Sequence, residues 1–225
     1  MRESVNRVRT ALGPLSRDRS YLILRLRAKR LGGPVTALAL SAVLGGIWGA
    51  FPLVLPSFTE DSGKQTTLIE LLPLLTGAAV ALSCRSDLSA FEDAAPREEA
   101  RLQRWHLLSA TVIAALVQYV SFSWGAGDLA QTGLRNYLGF LGVSLIAATL
   151  IGYEKFWVAP LVIAFPAFFI GSTSGTFPSV LWSWPTLPAT NTTSWLVAAC
   201  WLVCGAVSFL FRTSPRVSRL RMRVN

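Results

Sequence analysis

The sequence predicts an all-α polytopic membrane protein with six transmembrane helices and a basic amphipathic N-terminal helix in the membrane plane. Three observations support this fold class. Hydrophobic residues make up 52% of the 225 residues and charged residues only 15%, against roughly 25% charged in a typical globular chain. Four long stretches contain no Asp, Glu, Lys or Arg, namely 31–59, 105–127, 136–153 and 156–211. The basic residues also crowd to one side of these stretches.

Hydropathy over windows of about 19 residues predicts six spans. They lie near 33–56, 66–84, 107–126, 136–152, 156–171 and 194–211. The first is too long, and too far from the start of the chain, to be a cleavable signal peptide. The short fourth and fifth spans are separated only by 153–155 and a glycine, which predicts a tight antiparallel hairpin. The predicted divisions are therefore a basic segment 1–31, a six-span domain 32–212 and a basic tail 213–225.

The orientation of the spans follows from the basic residues in the connections. Nineteen Lys and Arg residues fall on the side of both termini, whereas the opposite side has only Lys64 and Arg135. Cytoplasmic connections are enriched in Lys and Arg, so both termini are predicted to be cytoplasmic. We expect a multi-pass protein of the plasma (cytoplasmic) membrane, and the preference for Arg over Lys with abundant Ala favours a bacterial origin.

The basic segment 1–31 contains two apolar stripes at helical spacing. They consist of Val5, Val8, Leu12 and Leu15, and then of Tyr21, Leu24, Ala28 and Leu31. This pattern predicts one or two amphipathic helices that lie in the inner headgroup region and contact anionic lipid. A disordered basic tail held near the same lipid remains the alternative.

Small residues recur every fourth position along the first span, at Ala37, Ser41, Gly45 and Gly49. Such a stripe lets two helix backbones approach closely in a membrane, where no hydrophobic effect drives helices together. The stripe therefore predicts a helix–helix contact. Whether the partner helix belongs to this chain or to another stays open.

Glu70 is the one acidic residue within a predicted span, about one turn from its outer end. A carboxylate at that depth is costly unless it meets water, a partner or the bundle interior. Glu70 is thus a candidate for a translocation path or a gate. The alternative is an interfacial residue that caps the helix start after Thr66 and Thr67.

The connection between the second and third spans is predicted to form a short helix near 87–95. Ser89-Ala90-Phe91-Glu92 matches the capping-box pattern, and Pro96 stops this helix and opens the next one. Leu88 and Phe91 share one face, which would suit a docking partner and would equally suit an interfacial helix with Phe91 in lipid.

Several classes of function are excluded by missing residues. Gly63-Lys64 has Phe58 where a nucleotide-binding loop needs glycine, so the chain is not expected to hydrolyse ATP itself. A single histidine, His106, and three cysteines in apolar spans give no catalytic or metal-binding set. The net charge of +9 comes from residues that flank the spans, so no nucleic-acid partner and no cofactor are predicted.

The layout resembles the permease subunits of type 2 ABC exporters, in particular small actinobacterial six-span permeases. The likeness rests on the predicted in-plane N-terminal helix, the six spans with both ends inside and the capped second connection. It also rests on two sequence segments, Glu98-Glu99-Ala100-Arg101-Leu102 and Arg135-Asn136-Tyr137-Leu138-Gly139. It implies a coupling helix at 87–95, with Leu88, Phe91 and Glu92 docking on a separate ATPase that binds ATP and Mg. It also implies a second permease copy or paralogue.

Two other classes of function stay open at this point. One is a non-transporting polytopic scaffold or immunity-type membrane protein. The other is an intramembrane enzyme, and two incomplete motifs argue against it. Glu98-Glu99 does not complete the signature of the membrane-embedded prenyl-endopeptidase-like family, because Gln103 stands where that signature has arginine. The serine-rich stretch at 171–175 lacks a suitably placed histidine.

Overall fold

The computed structural model describes residues 31–56, 64–85, 96–170 and 178–212. The elements are α1 (Gly32–Trp48), β1 (Pro52–Leu55), β2 (Lys64–Thr67), α2 (Leu68–Ser83), α3 (Pro96–Ala126), α4 (Leu129–Leu150), α5 (Val158–Phe169), α6 (Val180–Ser183), a 3-10 turn (Trp184–Thr186) and α7 (Thr192–Arg212). Three sequence predictions fall outside the described residues. These are the in-plane helix within 1–31, the coupling helix with Leu88, Phe91 and Glu92, and the tail 213–225.

Each of the six predicted spans overlaps an apolar helix. Among the described residues, three helices are long and apolar enough to cross a membrane, at Arg101–Ala126, Leu129–Leu150 and Thr192–Phe211. These three helices are compatible with a membrane-embedded protein. The other three, α1, α2 and α5, are apolar but have 17, 16 and 12 residues. Helix α1 is at the lower limit of the roughly 17–25 residues that a spanning helix needs, and α2 and α5 are below it. Crossing by all six remains a prediction.

The fourth helix, α4, is the centre of the bundle. In its most apolar stretch 72% of the residues are buried, against 22% in the corresponding stretches of α3 and α7. It packs on α2, α3 and α7, and Tyr137, Phe140 and Leu141 on it are fully buried. The first helix, α1, packs on α2 and α3 rather than on α4. Large apolar side chains are exposed on the outside of the bundle, as expected for helices in lipid.

Glycines bring the helix backbones around α4 into direct contact. A Cβ atom added at Gly205 of α7 would lie 2.8 Å from the Cα of Gly142, and one added at Gly77 of α2 would lie 2.8 Å from the backbone N of Leu141. A Cβ at Gly142 would in turn meet the backbone of Trp201. Close packing of this kind holds helices together in a membrane without a hydrophobic driving force.

The predicted first span of 33–56 is too long. The helix ends at Trp48, and Pro52–Leu55 instead forms an antiparallel strand pair with Lys64–Thr67, in the register Pro52 opposite Thr67. Proline disfavours helix at the residue before it and has no N–H to donate, so Pro52 cannot continue α1. The apolar composition of 50–56 reflects a hairpin, not a helix.

The placement of Arg135 in a connection is also wrong. A turn at Gly127, whose φ of 53° suits glycine, reverses the chain after α3. The next helix begins at Leu129, seven residues earlier than predicted, and Arg135 lies fully buried in its second turn. At the other end, Gly152 with φ 89° allows the tight connection to α5.

Candidate functional site

The densest set of buried polar side chains lies at one end of the bundle. We call this the hairpin end, because the β1–β2 hairpin lies there, α1, α3 and α5 end there, and α2, α4 and α7 begin there. The sequence predicts that this end faces outward. Its centre is Arg135 on α4, with no exposed surface.

All five N–H groups of the Arg135 guanidinium have a hydrogen-bond acceptor. Nε and Nη2 donate to Asn136 Oδ1 at 3.2 and 3.0 Å, Nη2 also donates to the Pro185 carbonyl at 3.1 Å, and Nη1 donates to the Pro188 carbonyl at 3.2 Å and to Ser194 Oγ at 2.8 Å. Because an arginine has five such donors, the group is saturated. Saturation is what allows a cation to be buried at this depth.

The residues 178–191, which we call the cap, supply two of these acceptors, the carbonyls of Pro185 and Pro188. The carbonyl of Pro185 accepts from both Arg135 and Asn136, the latter at 2.8 Å, and the carbonyl of Pro188 accepts from Arg135. Asn136 Nδ2 also donates to the backbone carbonyl of Glu70 at 3.2 Å. Two adjacent side chains of α4 therefore join the cap, α2 and α4.

The start of α7 completes the cluster. Asn191 caps this helix, since its Oδ1 accepts from the Ser194 amide at 3.0 Å. Ser194 Oγ donates to the Asn191 carbonyl at 2.7 Å and accepts from Arg135. The cap segment is thus attached to α7 and to Arg135 through the same serine.

A tryptophan fixes the middle of the cap against α4. Trp184 is fully buried, its ring centroid lies 5.1 Å from that of Phe140, and its six-membered ring occupies the space that a side chain at Gly139 would fill. Its indole Nε1 is buried and has no hydrogen-bond partner. The residue therefore contributes shape and apolar contact, while one polar atom is left unsatisfied.

Glu70, the predicted path or gate residue, lies beside this cluster in the first turn of α2. It is half-buried, Thr66 Oγ1 donates to its Oε2, and its charge interacts electrostatically with Arg135. A carboxylate in the first turn is also favoured by the helix dipole. Glu70 thus lies at a helix start, as the interfacial interpretation expects, and beside a buried polar cluster, as the path interpretation requires. Its role in a path or gate stays a prediction.

A second polar cluster lies deep between α1, α2 and α3. Gln118 Nε2 donates to Ser41 Oγ at 3.1 Å and to Thr76 Oγ1 at 2.6 Å, and all three side chains are fully buried. Gln118 Oε1 has no partner. Such buried bonds between helices specify which faces meet.

The predicted small-residue stripe of α1 faces α2 and α3 of the same chain. Ser41, Gly45 and Gly49 are buried and Ala37 is half-buried. A Cβ atom at Gly45 would overlap the Phe122 ring, and one at Gly49 would lie 2.8 Å from Ile69 Cδ1. Gly125 of α3 contacts the backbone of Gly45 and Gly46. In this chain the stripe is occupied by an intramolecular contact.

At the opposite end, one hydrogen-bonded contact joins α2 to α3. His106 Nε2 lies 3.1 Å from both Oγ and the carbonyl of Ser83. The Ser83 hydroxyl donates to the Val80 carbonyl, so Nε2 carries the proton and donates to Ser83. This contact lies at the base of the second connection, where α2 ends.

Arg135, Asn136, Ser194 and the cap carbonyls are not among the site residues that the sequence predicts. Apart from Asn136, the acceptors of Arg135 lie 50 to 59 residues away along the chain, so no local pattern reveals them. The sequence does indicate one part of the cluster, the start of α7, because Asn191-Thr192-Thr193-Ser194 matches a helix N-cap with a serine in the first turn.

The cluster is built to hold a protein segment. With its five donors engaged, Arg135 offers none to an added anion, and within the described ranges no group of three His, Cys, Asp or Glu side chains could hold a metal ion. Comparison of the chain with protein-family models, with curated proteins and with solved structures returned no match.

Proposed function

We propose that this protein is the membrane-spanning permease subunit of an ATP-driven exporter of the type 2 ABC class. It works with a second permease copy or paralogue, and a separate ATPase subunit binds ATP and Mg. The proposal combines the six-span layout predicted from the sequence with one feature of the fold, the unbroken helix α3.

Helix α3 runs without interruption from Pro96 to Ala126. Thirty-one residues at 1.5 Å each make a rod of about 46 Å, longer than the roughly 30 Å hydrocarbon core of a bilayer. The rod therefore extends beyond the membrane on the side of the second connection. A displacement of that connection is transmitted along α3, because a continuous helix does not bend easily.

The far end of the rod is tightly packed. Phe122 of α3 lies between Gly45 of α1 and Gly133 of α4, and Gly125 touches the α1 backbone. At the near end, His106 is hydrogen-bonded to Ser83 of α2. A push from an ATPase on the second connection would thus reach three helices, including the central one, which suits a subunit that takes energy from a partner.

The proposal is tested by breaking the rod outside its packed part. Leu102 lies near the start of α3 and is partly exposed, so Leu102→Pro removes a helical hydrogen bond and kinks the rod at a cost of about 3 kcal/mol. Leu102→Ala is the matched control. The reporter is an environment-sensitive fluorophore on Trp124→Cys, an 89% exposed site at the far end of α3, in a chain whose three native cysteines are replaced.

With the partner ATPase bound, ATP should change the fluorescence of the control chain. In Leu102→Pro the ATPase should still bind, while most of the fluorescence change should be lost. An undiminished change in the proline variant would mean that motion does not travel along α3.

A further inference from the structure

We propose that Arg135 is a latch that holds the cap, residues 178–191, closed over the hairpin end of the bundle, and that the cap opens when this latch is released. The role of such opening in export rests on the proposed function. The attachment of the cap by Arg135 does not, and it can be tested on this chain alone.

Most polar attachments of the cap converge on a few atoms around Arg135; a further one is donated by Trp195 Nε1 to the Ala189 carbonyl at 2.9 Å. Arg135 and Asn136 together donate three hydrogen bonds to the carbonyls of Pro185 and Pro188, and Ser194 ties Arg135 to the end of the cap at Asn191. The cap forms no strand pairing with the bundle in the described residues; its own short helix and turn are internally bonded, as at Ser183 and Ser179. One guanidinium is therefore common to the polar contacts at Pro185, at Pro188 and at the end of the cap.

Charge makes this attachment sensitive to rearrangement. Arg135 keeps its charge in the bundle interior through five hydrogen bonds to four neutral acceptor atoms and through the nearby carboxylate of Glu70. A cation buried in this way costs much free energy as soon as its acceptors leave. The cap should therefore exchange between two discrete positions. In one the guanidinium keeps its bonds to the Pro185 and Pro188 carbonyls, and in the other water replaces them.

The closed position is not optimal for every group of the cap. Trp184 Nε1 is buried without an acceptor, and such an atom destabilises the arrangement that buries it. A position of the cap in which this N–H reaches water would remove that cost. Trp184 fills the space over Gly139, but its unbonded Nε1 favours opening of the cap. The hydrogen bonds of Arg135 therefore hold the cap closed in a way that the apolar contacts of Trp184 alone do not.

The test measures how often the cap opens. Leu187 in the cap is 2% exposed, and Ala130 at the hairpin end of α4 is 1% exposed. In a chain with Cys84, Cys200 and Cys204 replaced by serine or alanine, Leu187→Cys reports the cap and Ala130→Cys, in a separate chain, reports the bundle beneath it. A water-soluble maleimide is added to open membrane fragments, without ATPase or ATP, and the rate of labelling is compared at both sites.

Arg135→Met removes all five donors and keeps an unbranched side chain. It should raise the labelling rate at position 187 by at least about tenfold, since each hydrogen bond to a charged group shifts an equilibrium by about that factor or more. Labelling at position 130 should stay slow. Ser194→Ala removes a single acceptor and should give a smaller increase at position 187, which supplies a second variant that keeps the charge.

Two results would overturn the latch. One is an unchanged labelling rate at position 187 in both variants, which would mean that the cap is held by apolar contacts. The other is a parallel increase at positions 187 and 130, which would mean that Arg135 supports the whole bundle and not the cap. Because no ATPase is present, neither result depends on the proposed function.

Discussion

Gly205→Leu is expected to prevent α7 from packing on α4. A Cβ atom at Gly205 would already lie 2.8 Å from the Cα of Gly142, and the contact is backbone against backbone, so no rotamer change can relieve it. We expect the free energy of unfolding to fall by about 3 kcal/mol or more, at the upper end of the usual range for overpacking. The measurement is the fraction of monodisperse protein after extraction in mild detergent, followed by its unfolding in SDS.

Cys204→Leu is the matched control for this substitution. Cys204 is the preceding residue on α7, and its side chain is exposed, so the same leucine should be tolerated there. Equal stability of the two variants would show that the α4–α7 contact is not the close backbone approach described above.

Trp184→Ala is expected to have a comparably large effect, because it empties the space between the cap and Gly139. Truncation of a fully buried tryptophan costs about 3–5 kcal/mol. Trp182→Ala, in the same short helix region but 40% exposed, should cost much less. The measurement is the midpoint of thermal aggregation of detergent-solubilised protein, followed by size-exclusion chromatography.

Trp184→Phe separates the ring from its polar atom. Since the indole N–H has no acceptor, phenylalanine loses some volume but no hydrogen bond, and its effect should be clearly smaller than that of alanine. A phenylalanine variant as unstable as the alanine variant would mean that the N–H is bonded in the folded protein.

In the described residues an apolar helix occurs at each stretch where the sequence predicts a span, because each stretch contains a run of uncharged residues. The sequence predicts the ends of these helices less well. Pro52 gives a local reason to end α1 at Trp48, but the apolar residues after it keep the hydropathy high, and a hairpin that pairs Pro52 with Thr67 depends on a contact across the connection.

Arg135 shows why the candidate site could not be predicted. A charged residue in a sequence is normally taken to bound a span. This one is buried because four acceptor atoms surround it, three of them from the cap and from α7. Glu70 and the small-residue stripe can be identified because their signals are local. The partners of Arg135 are brought to it only by the packing of α4 against α7, which no single stretch of sequence encodes.

The central claim is that a separate ATPase drives this protein through its second connection. The most direct measurement is purification of the tagged chain from its native membranes, with identification of bound proteins by mass spectrometry and an assay of their ATP hydrolysis. We expect a protein with a nucleotide-binding loop to copurify with the unchanged chain and with Leu102→Ala. Phe91→Ala should weaken its binding by about thirtyfold, as for loss of a roughly 2 kcal/mol interface anchor. Recovery of the intact chain without any such ATPase, or full binding by Phe91→Ala, would contradict the account and favour a non-transporting scaffold.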